Sequence, residues 1–229
     1  MNKENVIRIV SSHYGFFRFA ANAFNHILPK NKLRCKNGKL RAGVSVFKGL
    51  KIINRGSDNE VIIGDFVRIK NSTIILRGNH NRVSIGDFSY LNDVELYTEN
   101  SGNEITIGKH TTMSGQAHFA AIEGTRISIG DDCLFSSDLH FRTGDSHSIL
   151  NEEGKRINPS KDIVIGDHVW IGTKVTCLKG VHVSDNSIVA ATTTLCREYD
   201  QKNAVIAGVP GKVVRTGVNW CTERIPVEG

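Results

Sequence analysis

Proline is scarce in this chain, with four residues in 229, whereas glycine is abundant at twenty-two. That balance suits a fold with many tight corners. Long apolar runs are also missing, and no stretch approaches the roughly 20 residues that a membrane-spanning helix requires. The start, "MNKENVIRIVSSHYGFF", is interrupted by polar residues and lacks the apolar core of a cleavable signal. Cysteine pairs are absent too. Cys35, Cys133, Cys177, Cys196 and Cys221 are odd in number and form no CxxC, so a disulfide framework is not expected and reduced cytosolic thiols are the simplest reading. Apolar and charged contents are ordinary, which removes disorder as the default. Charge is not balanced: the net value of +6 and the pI near 9.1 favour anionic partners such as phosphates, acidic sugars or nucleic acid. The length suits one good-sized core, or one domain with a small appendage.

What the chain does have is internal repetition. "VIIGD", "VSIGD", "ITIGK" and "ISIGD" set Ile63, Ile85, Ile107 and Ile129 at a constant interval of 22, each after a polar, glycine-containing stretch. Further on, "KDIVIGDHVWIGTKVTCLKGVHVSDN" places Ile165, Ile171, Cys177 and Val183 six residues apart. The interval of 22 is then three sixes plus a four-residue loop. The gap of 36 between Ile129 and Ile165 reads either as two 18-residue turns or as one 22-residue turn with a 14-residue excursion. One aliphatic residue per six cannot be an α-helix, whose apolar face recurs at three and four. It fits very short strands with one inward side chain each, broken by Gly, Asp or Asn corners. Three such sides close a triangular coil, and stacked coils feed Ile, Val and Leu into a central column.

These repeats resemble the hexapeptide-repeat acyltransferases over roughly residues 60 to 215. The resemblance implies an all-β fold, a left-handed parallel β-helix with an N-terminal helix and a short C-terminal segment. The expected organisation is a helix and lead-in over 1–58, the β-helix over 59–200 with an inserted loop at about 141–161, and a C-terminal segment over 201–229. In the flank, Phe16, Phe17, Ala20, Phe24, Ile27 and Leu28 fall at helical spacing before Pro29. An amphipathic helix packed on the first coils is expected there, and weak association with a membrane surface is the sharper reading. The segment "AVIAGVPGKVVRTGVNW" is similar to the family's terminal motif, but Val209 and Gly211 replace the usual Asn and Ala.

The chemistry-bearing residues are singled out by the same resemblance. "CLFSSDLHFRTGDSHSILNEEGKRINPSK" interrupts the beat, and a histidine in this interruption, before the tryptophan of "VWIG", is the family's base. That points to His147, with His140 as the lesser candidate. An imidazole titrating near neutrality can take an alcohol's proton as its oxygen attacks a thioester. Asp145 either orients that ring or makes a turn. Trp170 falls in the outward phase of the beat, either as a surface accident or as the lining of the acetyl and pantetheine channel. Gly172, Ala190, Ala191 and Gly208 match positions along which the donor, acetyl-CoA, is expected to lie. Arg197, Lys212 and Arg215 could meet its phosphates. Gln116, His118, Glu123 and His140 are the acceptor-side candidates. The rings of His147 and Trp170 are expected to converge in one cleft, within one copy or between neighbours.

The function this implies is acetyl-CoA-dependent O-acetylation of a sugar hydroxyl in capsular polysaccharide or lipopolysaccharide. Transfer would be direct, since no Ser–His or Cys–His arrangement points to a covalent intermediate. The expected partner is a carbohydrate rather than nucleic acid, the assembly a homotrimer, and the location cytoplasmic. N-acetylation of a nucleotide-linked amino sugar and antibiotic acetylation are the alternatives, and a non-catalytic scaffold is the remaining class. No metal is expected, because His110, His118, His140 and His147 show no ligand pair at short spacing.

Overall fold

The computed structural model describes residues 3–227. Two helices, α1 (Lys3–Ser12) and α2 (Tyr14–Ile27), precede a parallel β-solenoid whose strands fall into three sheets. The first sheet starts at Gly38–Ala42, the second at Val46–Lys48 and the third at Lys51–Arg55. Each later coil adds one strand to each sheet, so the cross-section is a triangle. Register follows the sequence interval: Val61 pairs with Val83 and Ile105 with Ile127, then Val164 with His182, 18 residues on. The six-residue beat points inward as expected, with Ile165, Ile171, Cys177 and Val183 all buried. Phe47, Phe119, Phe135 and Phe141 fill the axis, the last three with ring centroids 4.8 to 6.2 Å apart.

The Ile-Gly-Asp phrases are explained by the corner between the first and second sheets. Each aspartate accepts a backbone N–H from the coil before it: Asp87 from Asp65, Asp131 from Lys109, Asp167 from Asp131 and Asp185 from Asp167, at 2.7 to 3.0 Å. A Cβ on Gly130 would collide with the Asp167 carboxylate, so glycine is the residue that lets successive coils stack here.

Strand Arg126–Ile129 pairs directly with Ile163–Ile165, so the 36-residue interval is a single turn carrying an excursion. That excursion leaves after Leu139–Arg142. The solenoid starts earlier than residue 59: Gly38–Ala42 pairs with Asn59–Ile63 and forms a coil of its own. The N-terminal helix also differs from expectation. Most of its large apolar residues are turned outward: Phe16, Phe19 and Ile27 are 68%, 74% and 78% exposed, and Phe17 is only half-buried. Polar side chains make the docking contacts instead. Asn25, fully buried, donates to Ser45 O and accepts from Phe47 N, both at 2.8 Å. Asn31 accepts from Gly49 N and Leu50 N and donates to Phe47 O. The physical reason is the solenoid's open end: the first coil has no preceding coil, so its backbone groups need other partners, and asparagine offers both a donor and an acceptor. At the other end, strand Lys212–Thr216 folds back antiparallel on Ala204–Ala207.

Candidate active site

His147 sits in the excursion at the corner between the third and first sheets, exposed to solvent. The loop is tied to the prism by charged and amide contacts. Asp145 Oδ2 accepts from Lys179 Nζ at 2.6 Å and from Asn158 Nδ2 at 2.7 Å, and Asn158 also donates to His147 O at 2.8 Å. The Lys179 and Asn158 hydrogen bonds hold the Asp145 carboxyl below its ordinary pKa. Asp145 thus positions the backbone of the loop; no hydrogen bond among the described residues joins it to the His147 ring. Beneath them lies a pocket of about 440 Å³ lined by Arg142, Gly144, Asp145, Ser146, Leu178, Lys179 and Cys196.

Trp170 stands outward on the second sheet, 40% exposed, with its ring 6.2 Å from that of Trp220. Trp220 in turn stacks on His168 at 4.2 Å and donates to His168 O. Within one protomer, then, His147 and Trp170 belong to different sides of the prism and do not share a cleft. Gly172 does meet Ala190 and Ala191: a Cβ on Gly172 would lie 2.6 Å from Ala191 N, so the edge between the second and third sheets is narrow and smooth there. Gly208 joins the same edge, its carbonyl accepting from Thr194 N. Lys212 and Arg215 are exposed on the folded-back strand of the second sheet, while Arg197 lies at the third-to-first corner, so the three cations do not form one cluster in a protomer. Gly211 has a structural cause: an alanine Cβ would sit 2.8 Å from Tyr199 Oη, which donates to Gly211 O.

Three of the acceptor-side candidates converge. Gln116, His118 and His140 line a groove of about 330 Å³ on the third sheet, together with Asp93, Glu95 and Asp138. His118 Nδ1 and Glu95 Oε1 are 3.0 Å apart. A carboxylate can only accept, so Nδ1 carries the proton and Nε2 holds the lone pair. Burial lowers the His118 pKa, with Glu95 pulling the other way. Glu95 was missed by sequence reasoning for a definite reason. A step of 22 back from His118 reaches Leu96, which points inward, but this coil holds one extra residue and the true partner is 23 away. Glu123 is not in the groove. It forms a two-pronged pair with Arg156 at 2.6 and 2.9 Å and accepts from Ser160 at 2.7 Å, anchoring the excursion. Those hydrogen bonds bring its carboxyl pKa down to about 2. No group of three or more His, Cys, Asp or Glu among the described residues could hold a metal ion.

No family profile matches the chain. Two solved structures share its architecture over most of its length. The polysialic acid O-acetyltransferase OatWY is 33% identical, with a TM-score of 0.74, over 82% of this chain and 90% of that one. The polySia-specific acetyltransferase NeuO is 29% identical, with a TM-score of 0.77, over 82% and 79%. Among curated proteins, the polysialic acid O-acetyltransferase of Neisseria meningitidis is 38% identical over 80 residues, which is 34% of this chain and 37% of the relative. The chain therefore matches little more than a third of that curated relative's length. With seven complete parallel coils and a match spanning nine tenths of OatWY, the chain belongs to the hexapeptide-repeat acetyltransferases and has their left-handed β-helix.

Proposed function

We infer that the protein is an O-acetyltransferase that moves an acetyl group from acetyl-CoA to a hydroxyl of a carbohydrate acceptor, a capsular polysaccharide or lipopolysaccharide sugar. The observation that carries this reading is the similarity to OatWY, 33% identical over 90% of that chain. The names of OatWY and NeuO favour a sialic acid polymer as the acceptor class. The net charge of +6 accords with an anionic glycan and an anionic donor alike.

His147 is the general base. Its imidazole takes the acceptor hydroxyl's proton as that oxygen attacks the thioester carbonyl, and returns the proton to the departing thiolate of coenzyme A. The Asn158 and Lys179 bonds hold the loop that presents it. Acetyl-CoA is the donor substrate, and the close-packed edge of Gly172, Ala190 and Ala191 suits a pantetheine arm lying along it. Because His147 and Trp170 occupy different sides of one protomer, a site using both is assembled between two copies; a homotrimer of prisms supplies such a seam. The cytoplasm is the compartment proposed.

Coenzyme A release, followed with a thiol reagent across sialic acid oligomers, neutral glycans and amino sugars, tests the reaction. Release with hydroxyl acceptors that disappears in His147→Ala is the expected result; wild-type turnover in that variant overturns the assignment. Mixing His147→Ala with Trp170→Arg subunits restores activity if the seam is shared.

A second reading has one specific observation behind it. Glu95 and His118 form a carboxylate–imidazole pair inside a groove, an arrangement suited to a base. His118→Ala measured beside His147→Ala decides between them.

A further inference from the structure

We propose that the outward face of α2 is a docking surface for an anionic phospholipid membrane, with the helix lying in the interfacial plane and the prism held beneath it.

Helix α2 is inverted. Its prism side carries Tyr14, Arg18 and Asn25, which bond to Asp65 Oδ1, Ala42 O and the backbone of Ser45 and Phe47. Its other side is apolar and exposed: Phe16, Phe19, Phe24 and Ile27 at 50 to 78%, with Ile9 of α1 at 41%. Three of the four phenylalanines of α2, Phe16, Phe19 and Phe24, are turned to solvent and only Phe17 is half-buried, while buried asparagine holds the rotation of the helix. Exposed apolar patches of this kind mark a partner surface.

Charge identifies the partner. Residues 1–36 hold seven of the 29 Lys and Arg residues and one of the 23 Asp and Glu residues, leaving 22 of each sign for the rest of the chain. The lead-in thus carries the whole net charge of +6, and the solenoid with its tail is neutral. Arg8 precedes the apolar stripe, and Lys30, Lys32, Arg34 and Lys36 follow it, all exposed. A second copy paired stripe to stripe would bring two such cationic segments together, which opposes that pairing. An anionic lipid surface takes the phenylalanines and neutralises the cations in one contact. No described helix is long and apolar enough to cross a membrane, so the contact is with the surface.

The test is sedimentation of the full-length protein with phosphatidylcholine vesicles, with and without phosphatidylglycerol. Binding to the anionic vesicles, weakened by salt, is expected. Phe16→Ser with Phe19→Ser should lower partition on the order of tenfold or more, since each loses the burial of an aromatic ring. Arg8→Glu with Lys30→Glu should remove the preference for anionic lipid. Both variants should keep wild-type coenzyme A release with a soluble acceptor, so loss of docking is distinguishable from loss of chemistry. Wild-type protein that stays in the supernatant with anionic vesicles overturns the proposal. So does a Phe16/Phe19 variant that lowers the mass at sedimentation equilibrium without changing vesicle binding, because the stripe would then be seated on a second copy.

Discussion

The corner between the third and first sheets is built in two ways. In the early coils it is closed by a buried ladder. Asn59 Oδ1 accepts from Asn81 N at 2.7 Å, Asn81 Oδ1 from Asn103 N at 2.8 Å, and Asn103 Oδ1 from Gly124 N at 2.9 Å. Each asparagine is 1% exposed, and its amide also bonds to corner carbonyls, so every short polar loop is closed by neutral groups that meet their hydrogen-bonding needs. In the fifth coil the ladder ends in threonines: Thr125 Oγ1 donates to Thr143 Oγ1 at 2.6 Å, and the chain leaves the prism. From there the loop is held at its rim by exposed charges, Glu123 to Arg156 and Asp145 to Lys179. Neutral and buried means repetitive and stiff; ionic and exposed means a loop that can present an imidazole.

The largest expected effect tests the open version of the corner. His147→Ala should lower kcat by roughly 10²–10⁴, the usual worth of a general base, with circular dichroism unchanged. His118→Ala should cost less than about tenfold and act mainly on KM for the acceptor. The reverse ranking would move the base into the groove.

The next effect tests the closed version. Asn81→Ala removes the buried partner of Asn103 N and one donor to each of the part-buried carbonyls of Arg77 and Asn100. A buried donor left unpaired costs about 1–3 kcal/mol, so urea unfolding should show a loss of about 2 kcal/mol or more. A loss below about 1 kcal/mol would mean that water repairs the ladder and the corner is less dry than it looks.

Much of this was legible in the sequence because a solenoid writes its geometry as a period. Where the period held, the inward residues were named correctly, from Ile63 through Val183. Where it faltered, so did the reading. Ala42-Gly43-Val44 occupies the position that Ile63-Gly64-Asp65 holds one coil later, and without Ile and Asp the first coil went unrecognised. One extra residue near Gln116 hid Glu95 behind Leu96. The rotation of α2 was misread because apolar spacing assumes that greasy faces seek the core. At the open end of a solenoid the unmet need is backbone hydrogen bonding, and Asn25 and Asn31 answer it. The separation of His147 from Trp170 is a matter of which sheet each occupies, and a spacing of 23 residues across an excursion does not encode it.

Smaller effects separate the rim contacts from each other. Glu123 should matter to loop order more than to global stability. Its carboxyl pKa is depressed to about 2, so its contribution is present above the unfolded value near 4.5 and is lost as pH falls through that window towards 2. Hydrogen exchange over residues 143–162, corrected for intrinsic rates, should therefore show weakening protection from about pH 5 to about pH 3. Glu123→Gln should lower protection at the higher pH and flatten that dependence. A dependence that survives the substitution would assign it to another carboxylate. Asp145 also has a depressed pKa, but its partner Lys179 contributes one hydrogen bond where Arg156 contributes two. Exposed single ion pairs are worth about 0.2–1 kcal/mol, so Lys179→Met should change kcat by no more than about fivefold. A larger loss would mean that the ammonium reaches beyond Asp145 to the reacting groups in the pocket it lines, and the rim of this corner would then be part of the chemistry as well as its support.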